Sequence, residues 1–409
     1  MIILFLVLGI IILAARVGGS AARRFDQPRV LGELLVGILL GPTLLDVLHT
    51  SAFGIGDMHL EATITELAEL GVLLLMFKVG LDVHLNELVK VGGVAGIAGV
   101  AGALLPTLFT IPVVMAFGFP WAEALFAGVT LAATSVSISA QVLLELGVLR
   151  TKEGNALLAT ALIDDVVAIL LVSLAIAITG PTGSAAAGDL ILIVVRMATY
   201  LGLAFLVAWF LLPRLAAWIA NHPEASQSYG IPAFALIMAL VFGWSAEYFG
   251  GVAAITGAFL AGVGLSRTRE GIKRPIDTAI SNIAYAFLVP IFFVSVGLKT
   301  DLSQFPLTAL PFAALLLVVA VISKIIGCGG GARLGGFSNQ ESLRLGVCMI
   351  SRGEVGLIIA SLGLSSGIFL PTDPVFASLF LVILLSTVLT PPLVRRVFQD
   401  HDAVTKGAK

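Results

Sequence analysis

Charge is what this sequence has least of. Only 12% of its 409 residues are Asp, Glu, Lys or Arg, while 58% are apolar; a soluble domain carries roughly 25% charged residues. That balance excludes an ordinary soluble globular protein. It equally excludes disorder, which needs low hydrophobicity and high charge. A basic excess is missing too. Twenty-three Lys and Arg face 25 Asp and Glu, for a formal net charge of −2, so there is no electrostatic footprint for nucleic acid. Cysteine is almost absent. Cys328 and Cys348 lie in apolar segments, cannot staple an extracellular scaffold, and read as small apolar fillers. None of the five histidines sits in the middle of a long apolar run, so histidine is not the residue that handles protons inside a membrane. The glycine-rich GCGGGARLGG at 327–336 has no Lys-Ser/Thr signature leading into a helix, and no His/Cys metal cluster or nucleophile motif accompanies it. Neither an enzyme nor a bound cofactor is expected.

What fills the chain is apolar runs long enough to cross a bilayer, which takes about 20 residues as a helix. Thirteen are read, with soft edges, at 2–20, 29–46, 62–81, 89–117, 121–147, 154–179, 189–218, 228–248, 251–266, 275–298, 305–332, 341–367 and 374–398. Residues 181–188 and 221–227 read as plain loops. The first run lacks a basic region before it and is expected to be a retained helix rather than a signal peptide. Alternate loops and the tail hold 18 of the basic residues, and the opposite loops hold only Lys299. Positive charge stays on the cytoplasmic side, so the N-terminus is expected outside and the C-terminus in the cytoplasm. The expected class is an all-α multi-pass protein of the inner (cytoplasmic) membrane, with the lipid bilayer as its first partner.

Four basic residues remain inside apolar runs. Arg16 can snorkel to the surface, and Arg196 is read as structural. Lys324 and Arg352 lie deeper. An ionisable residue at bilayer depth costs at least about 2.5–3.5 kcal/mol on insertion scales, so each is a functional candidate. The strongest candidates are Asp164 and Asp165, adjacent in TALIDDVVAILLVSL near the middle of the sixth run. They point about 100° apart around a helix and can meet different partners. Such carboxylates can hold a proton or a metal ion. Lys324 must either pair with an acid or lose its proton, and one member of the Asp pair is its natural partner.

Two runs carry signs of interruption. Ser351–Arg352–Gly353–Glu354 sits in the middle of the twelfth run; its charges either fix a helix break or contact an ion. Thr134, Ser135, Ser137 and Ser139 interrupt the fifth run. These hydroxyls either bond the carbonyl one turn back or mark an unwound segment. The fifth run is second-to-last of the first six, and the twelfth is second-to-last of the last six. With the seventh as linker, the two six-helix halves have opposite orientations. Paired broken helices in inverted repeats point to a transport site near the bilayer midplane.

The strings PRVLGELLVGILLGPTLL at 28–45, ATSVSIS at 133–139, LIDDV at 162–166, SKIIGCGGGARL at 323–334 and MISRGEVGLI at 349–358, in that order, resemble the monovalent cation:proton antiporter-2 family. The resemblance runs over roughly residues 1–398 and is to its bacterial Na+/H+ antiporters of the NapA and GerN type. It implies a core bundle that carries the ion and moves against a dimerisation domain, in a homodimer. Carried over by position, residues 1–85 and 227–300 form the dimerisation domain, 86–180 and 301–400 the core ion-transport domain, 181–226 the linker helix and 401–409 a cytoplasmic tail. Asp165 would bind the ion and the proton, with Asp164 beside it pairing with Lys324. Thr134 and Ser135 would lie near the ion at one break, Arg352 and Glu354 at the other.

The implied activity is exchange of intracellular Na+ or Li+ for external protons, with net charge movement. K+ efflux relatives add a large cytoplasmic nucleotide-binding domain, and many carry another residue before the site Asp. This chain stops eleven residues after its last run and has Asp164 there, which favours Na+/H+ exchange. A K+/H+ exchanger or K+ efflux protein of the same fold stays open. A Na+-coupled organic solute symporter would need a larger polar or aromatic midplane cavity than these few deep carboxylates and hydroxyls suggest.

Overall fold

The computed structural model describes residues 2–47, 58–83, 90–179, 187–222, 230–299, 305–370 and 373–406. The loops expected at 181–188 and 221–227 fall largely outside these residues, as does Lys409. In chain order the helices are α1 (Ile2–Arg24), α2 (Arg29–Leu40), α3 (Met58–Asp82), α4 (Gly92–Ala116), α5 (Trp121–Ala132), α6 (Val136–Glu145), α7 (Lys152–Thr179), α8 (Ala187–Leu206), α9 (Leu212–Asn221), α10 (Gly230–Ser245), α11 (Ala254–Leu265) and α12 (Glu270–Ile283). They continue as α13 (Val289–Leu298), α14 (Leu310–Lys324), α15 (Gly330–Leu334), α16 (Asn339–Cys348), α17 (Glu354–Ser365) and α18 (Pro374–Lys406). Single π turns join α8 to α9, α12 to α13 and α14 to α15. Among the described residues there is no strand, and nine helical spans are long and apolar enough to cross a membrane.

The chain divides into two units. The first comprises 1–12, 57–89 and 187–295, and the second 13–56, 90–186 and 296–409. In the first unit α3 and α11 pack through small residues. A side chain at Gly80 or at Gly262 would strike the facing backbone carbonyl, Phe259 O or Phe77 O. Helices associate in lipid by such close approach, because apolar surface alone gives them no reason to leave the tails. Arg196, on α8, donates to Phe249 O at 2.6 Å and Tyr248 O at 2.7 Å, closing the carbonyl end of the helix that precedes α11.

The second unit holds the two interrupted runs. The hydroxyl-rich run breaks at Ala133–Ser135 between α5 and α6, while Ser137 and Ser139 remain helical in α6. The other break separates α16 from α17. The half-helix α16 is tied at its start by a capping box of Ser338 and Glu341. Farther along, Arg344 forms a buried 2.7 Å pair with Glu153 of α7, donates to Val397 O of α18 at 3.0 Å, and lies 5.0 Å from the Phe398 ring. One guanidinium thereby joins three helices. Arg344→Leu should cost about 3–5 kcal/mol by stranding the Glu153 charge. The double variant Glu153→Ala/Arg344→Leu should lose much less. Thermal denaturation in detergent distinguishes the two; equal losses would contradict the pair.

Candidate ion-binding site

A broken helix leaves carbonyls without amide partners at the end of one half and amides without carbonyls at the start of the next. Inside a membrane these groups must be satisfied by protein or by a water-lined cavity. Here the two breaks satisfy each other. Ser135 N donates to Ser351 O at 2.9 Å, and Ser351 Oγ donates back to Ser135 O at 2.6 Å. Ser139 Oγ donates to Cys348 O at 2.5 Å and lies 3.3 Å from Ser351 Oγ. Ser135 Oγ and Ser137 Oγ are 3.0 Å apart. Gly353 is required where the segments cross, because a Cβ there would come within 2.7 Å of the Ser135 side chain.

The carbonyl ends of α5 and α16 carry partial negative charge, and two buried cations meet them. The Arg352 guanidinium is fully buried. Its Nε and Nη2 donate to Leu131 O at 3.1 and 2.9 Å, Nη2 also to Ala320 O at 2.9 Å, and Nη1 to Ile350 O. Thr387 of α18 donates to the Arg352 carbonyl. Lys324, at the end of α14, is also fully buried; its Nζ donates to Ala132 O at 2.7 Å, Gly102 O at 2.8 Å and Asp164 Oδ1 at 2.8 Å. Gly102 O is available because the helical amide that would reach it belongs to residue 106, which is proline and has no N–H.

Asp164, in the middle of α7, is fully buried. It accepts from Thr134 Oγ1 at 2.6 Å through the oxygen that Lys324 does not touch. The structure therefore brings Thr134, Asp164 and Lys324 into one contact set, with Ser135 and Arg352 at the crossing beside it. Asp165 follows on the same helix, half-buried and turned about 100° from Asp164. Glu354 opens α17, and its side chain lies outside the described residues. Gly102 O, Ala132 O and Ser351 were not singled out as contacts of these groups in the sequence. The proline four residues after Gly102 was the available signal for the first.

Residues 7–399 match the family described as "Sodium/hydrogen exchanger, transmembrane". The chain belongs to this family. Among relatives of the exchanger, it is 34% identical over 405 residues to the Na(+)/H(+)-K(+) antiporter GerN of Bacillus cereus, covering 99% of each chain. It is 35% identical over 390 residues to a Na(+)/H(+) antiporter of Enterococcus hirae, covering 95% of this chain and 96% of that one. In fold it resembles the sodium proton antiporter MjNhaP1 of Methanocaldococcus jannaschii, with a TM-score of 0.71 over 97% of both chains at 16% identity.

Proposed function

We propose that this exchanger is a secondary antiporter of the inner (cytoplasmic) membrane that moves intracellular Na+, and Li+, out in return for external protons. The observation that carries the reading is the buried Asp164–Lys324 pair, braced by Thr134 and set beside half-buried Asp165 at the crossing of two broken helices. Lys324 neutralises Asp164, so the carboxylate that takes Na+ or a proton is Asp165, one residue on. Oxygens of Thr134 and Ser135 at the break complete the Na+ shell. Sodium and protons compete for this one group, so loading by either excludes the other and no separate gate is needed. Rising pH favours Na+ loading by removing the proton.

Thirteen membrane helices form two inverted six-helix repeats about a linker, with the N-terminus outside and the C-terminus in the cytoplasm. Residues 86–180 and 301–400 make the moving core, 181–226 the linker, and 1–85 with 227–300 the dimerisation domain of a homodimer. The grouping of 57–89 with 187–295, and of 90–186 with 296–409, supports this division, although residues 13–56 group with the second set. Alternating access comes from movement of the core. The cycle transfers net charge, worth about 2.3 kcal/mol per charge per 100 mV, so a proton gradient positive outside drives Na+ out.

The relative GerN, a Na(+)/H(+)-K(+) antiporter by name, favours K+ as a second cargo. Proteoliposomes under an imposed pH gradient, given Na+, Li+ or K+ in turn, test the assignment. Proton flux with Na+ and Li+ is expected. Flux with K+ alone would move the assignment to K+/H+ exchange, and flux with none of the three would contradict antiport.

A further inference from the structure

The Lys324 ammonium rests on three oxygens from three helices. Gly102 O is orphaned by Pro106 on α4, and Ala132 O ends α5 where the chain turns extended at Ala133 (φ −62°, ψ 138°). The third is the Asp164 carboxylate on α7. The N···O distances are 2.8, 2.7 and 2.8 Å. All three groups are acceptors. Thr134 Oγ1 donates to the other Asp164 oxygen, so removing Lys324 takes the cation away from two carbonyls and one carboxylate oxygen. The wall is closed by Cys328, whose Sγ packs so tightly on Gly102 that no Cβ fits there.

We propose that these oxygens form a second cation-binding site, deep to Asp165, which the chain fills with its own ammonium and which takes a free cation of ammonium size, NH4+ or K+, when that ammonium is removed. The spacing is that of charge-assisted N–H···O bonds. Na+ is smaller than an ammonium group and would need the oxygens to close around it, and their helices hold them apart. Lys324 is then a tethered occupant. It keeps the larger monovalent cations out of the deep oxygens and confines exchange to the outer carboxylate. Two carbonyls and a carboxylate left empty in a buried position are costly, and that cost is what a free cation would relieve. The inference does not depend on the exchange activity, because stability reads it without transport.

The test uses purified full-length Lys324→Ala in detergent, with choline chloride replaced at constant ionic strength by ammonium, potassium or sodium chloride. Lys324→Ala should melt below the parent, and ammonium and K+ should raise its Tm saturably, on the order of 2–4 °C. Any rise that the parent shows through Asp165 should be smaller, and the double variant Asp164→Asn/Lys324→Ala should rise no more than the parent. If the variant does not survive purification, the same comparison is made on heated membranes, reading the fraction that stays monodisperse after solubilisation. The proposal is overturned if neither ammonium nor K+ protects Lys324→Ala. It is equally overturned if Na+ alone protects, or if the parent or the double variant is protected to the same extent.

Discussion

Asp165→Asn is expected to bring pH-gradient-driven Na+ exchange in proteoliposomes down to the level of protein-free vesicles. The amide keeps the shape of the side chain but holds neither a proton in the exchange range nor a cation by charge. In the competition scheme no other group stands in for it, because Asp164 is engaged by Lys324 and Thr134. The loss should appear without unfolding. Asp165 is only half-buried, and an isosteric neutral group there adds no buried charge. Full exchange by Asp165→Asn, with the thermal stability of the parent, would remove Asp165 from the ion path.

The second large effect is on folding. Arg352→Met should cost about 3–5 kcal/mol, because removing the guanidinium strands several buried carbonyls and each unsatisfied group costs about 1–3 kcal/mol. Leu131 O lies in the last turn of α5 and Ile350 O in the break after α16, and Arg352 reaches both, along with Ala320 O. Methionine fills the volume and supplies no donor. Arg352→Lys should recover only part of the loss, since a single ammonium cannot reproduce the planar fork that spans three carbonyls. The yield of monodisperse protein and its Tm measure this. A Tm for Arg352→Met equal to that of the parent would show that water or other side chains satisfy those carbonyls.

These effects trace back to features that were partly visible in the chain itself. The Asp pair, Lys324 and the SRGE string stood out because charge is scarce and each interrupts an apolar run. The run of hydroxyls at 134–139 was a blunter signal. It marked a break, but unwinding is confined to Ala133–Ser135; Ser137 and Ser139 stay helical, with the Ser137 hydroxyl on Ser135 of the same break and that of Ser139 on Cys348 O at the other. Backbone acceptors were harder to read. A carbonyl has no letter of its own, so Gly102 O becomes an expected ligand only when Pro106 is considered with it. Long-range ties such as Arg344 to Glu153 and Val397 O, or Arg196 to Tyr248 O and Phe249 O, join residues with no shared local pattern. The grouping of residues 13–56 with the unit that carries Asp164 likewise comes from packing that hydropathy does not encode.

Proton release on Na+ addition tests the central claim most directly. In weakly buffered detergent solution at a pH where Asp165 is partly protonated, Na+ should displace protons from the purified protein, saturably, and less so as pH rises and the site empties of protons. Asp165→Asn should release none. Saturable Na+ binding without proton release in the parent, or the same release from Asp165→Asn, would contradict competition of Na+ and H+ for that carboxylate.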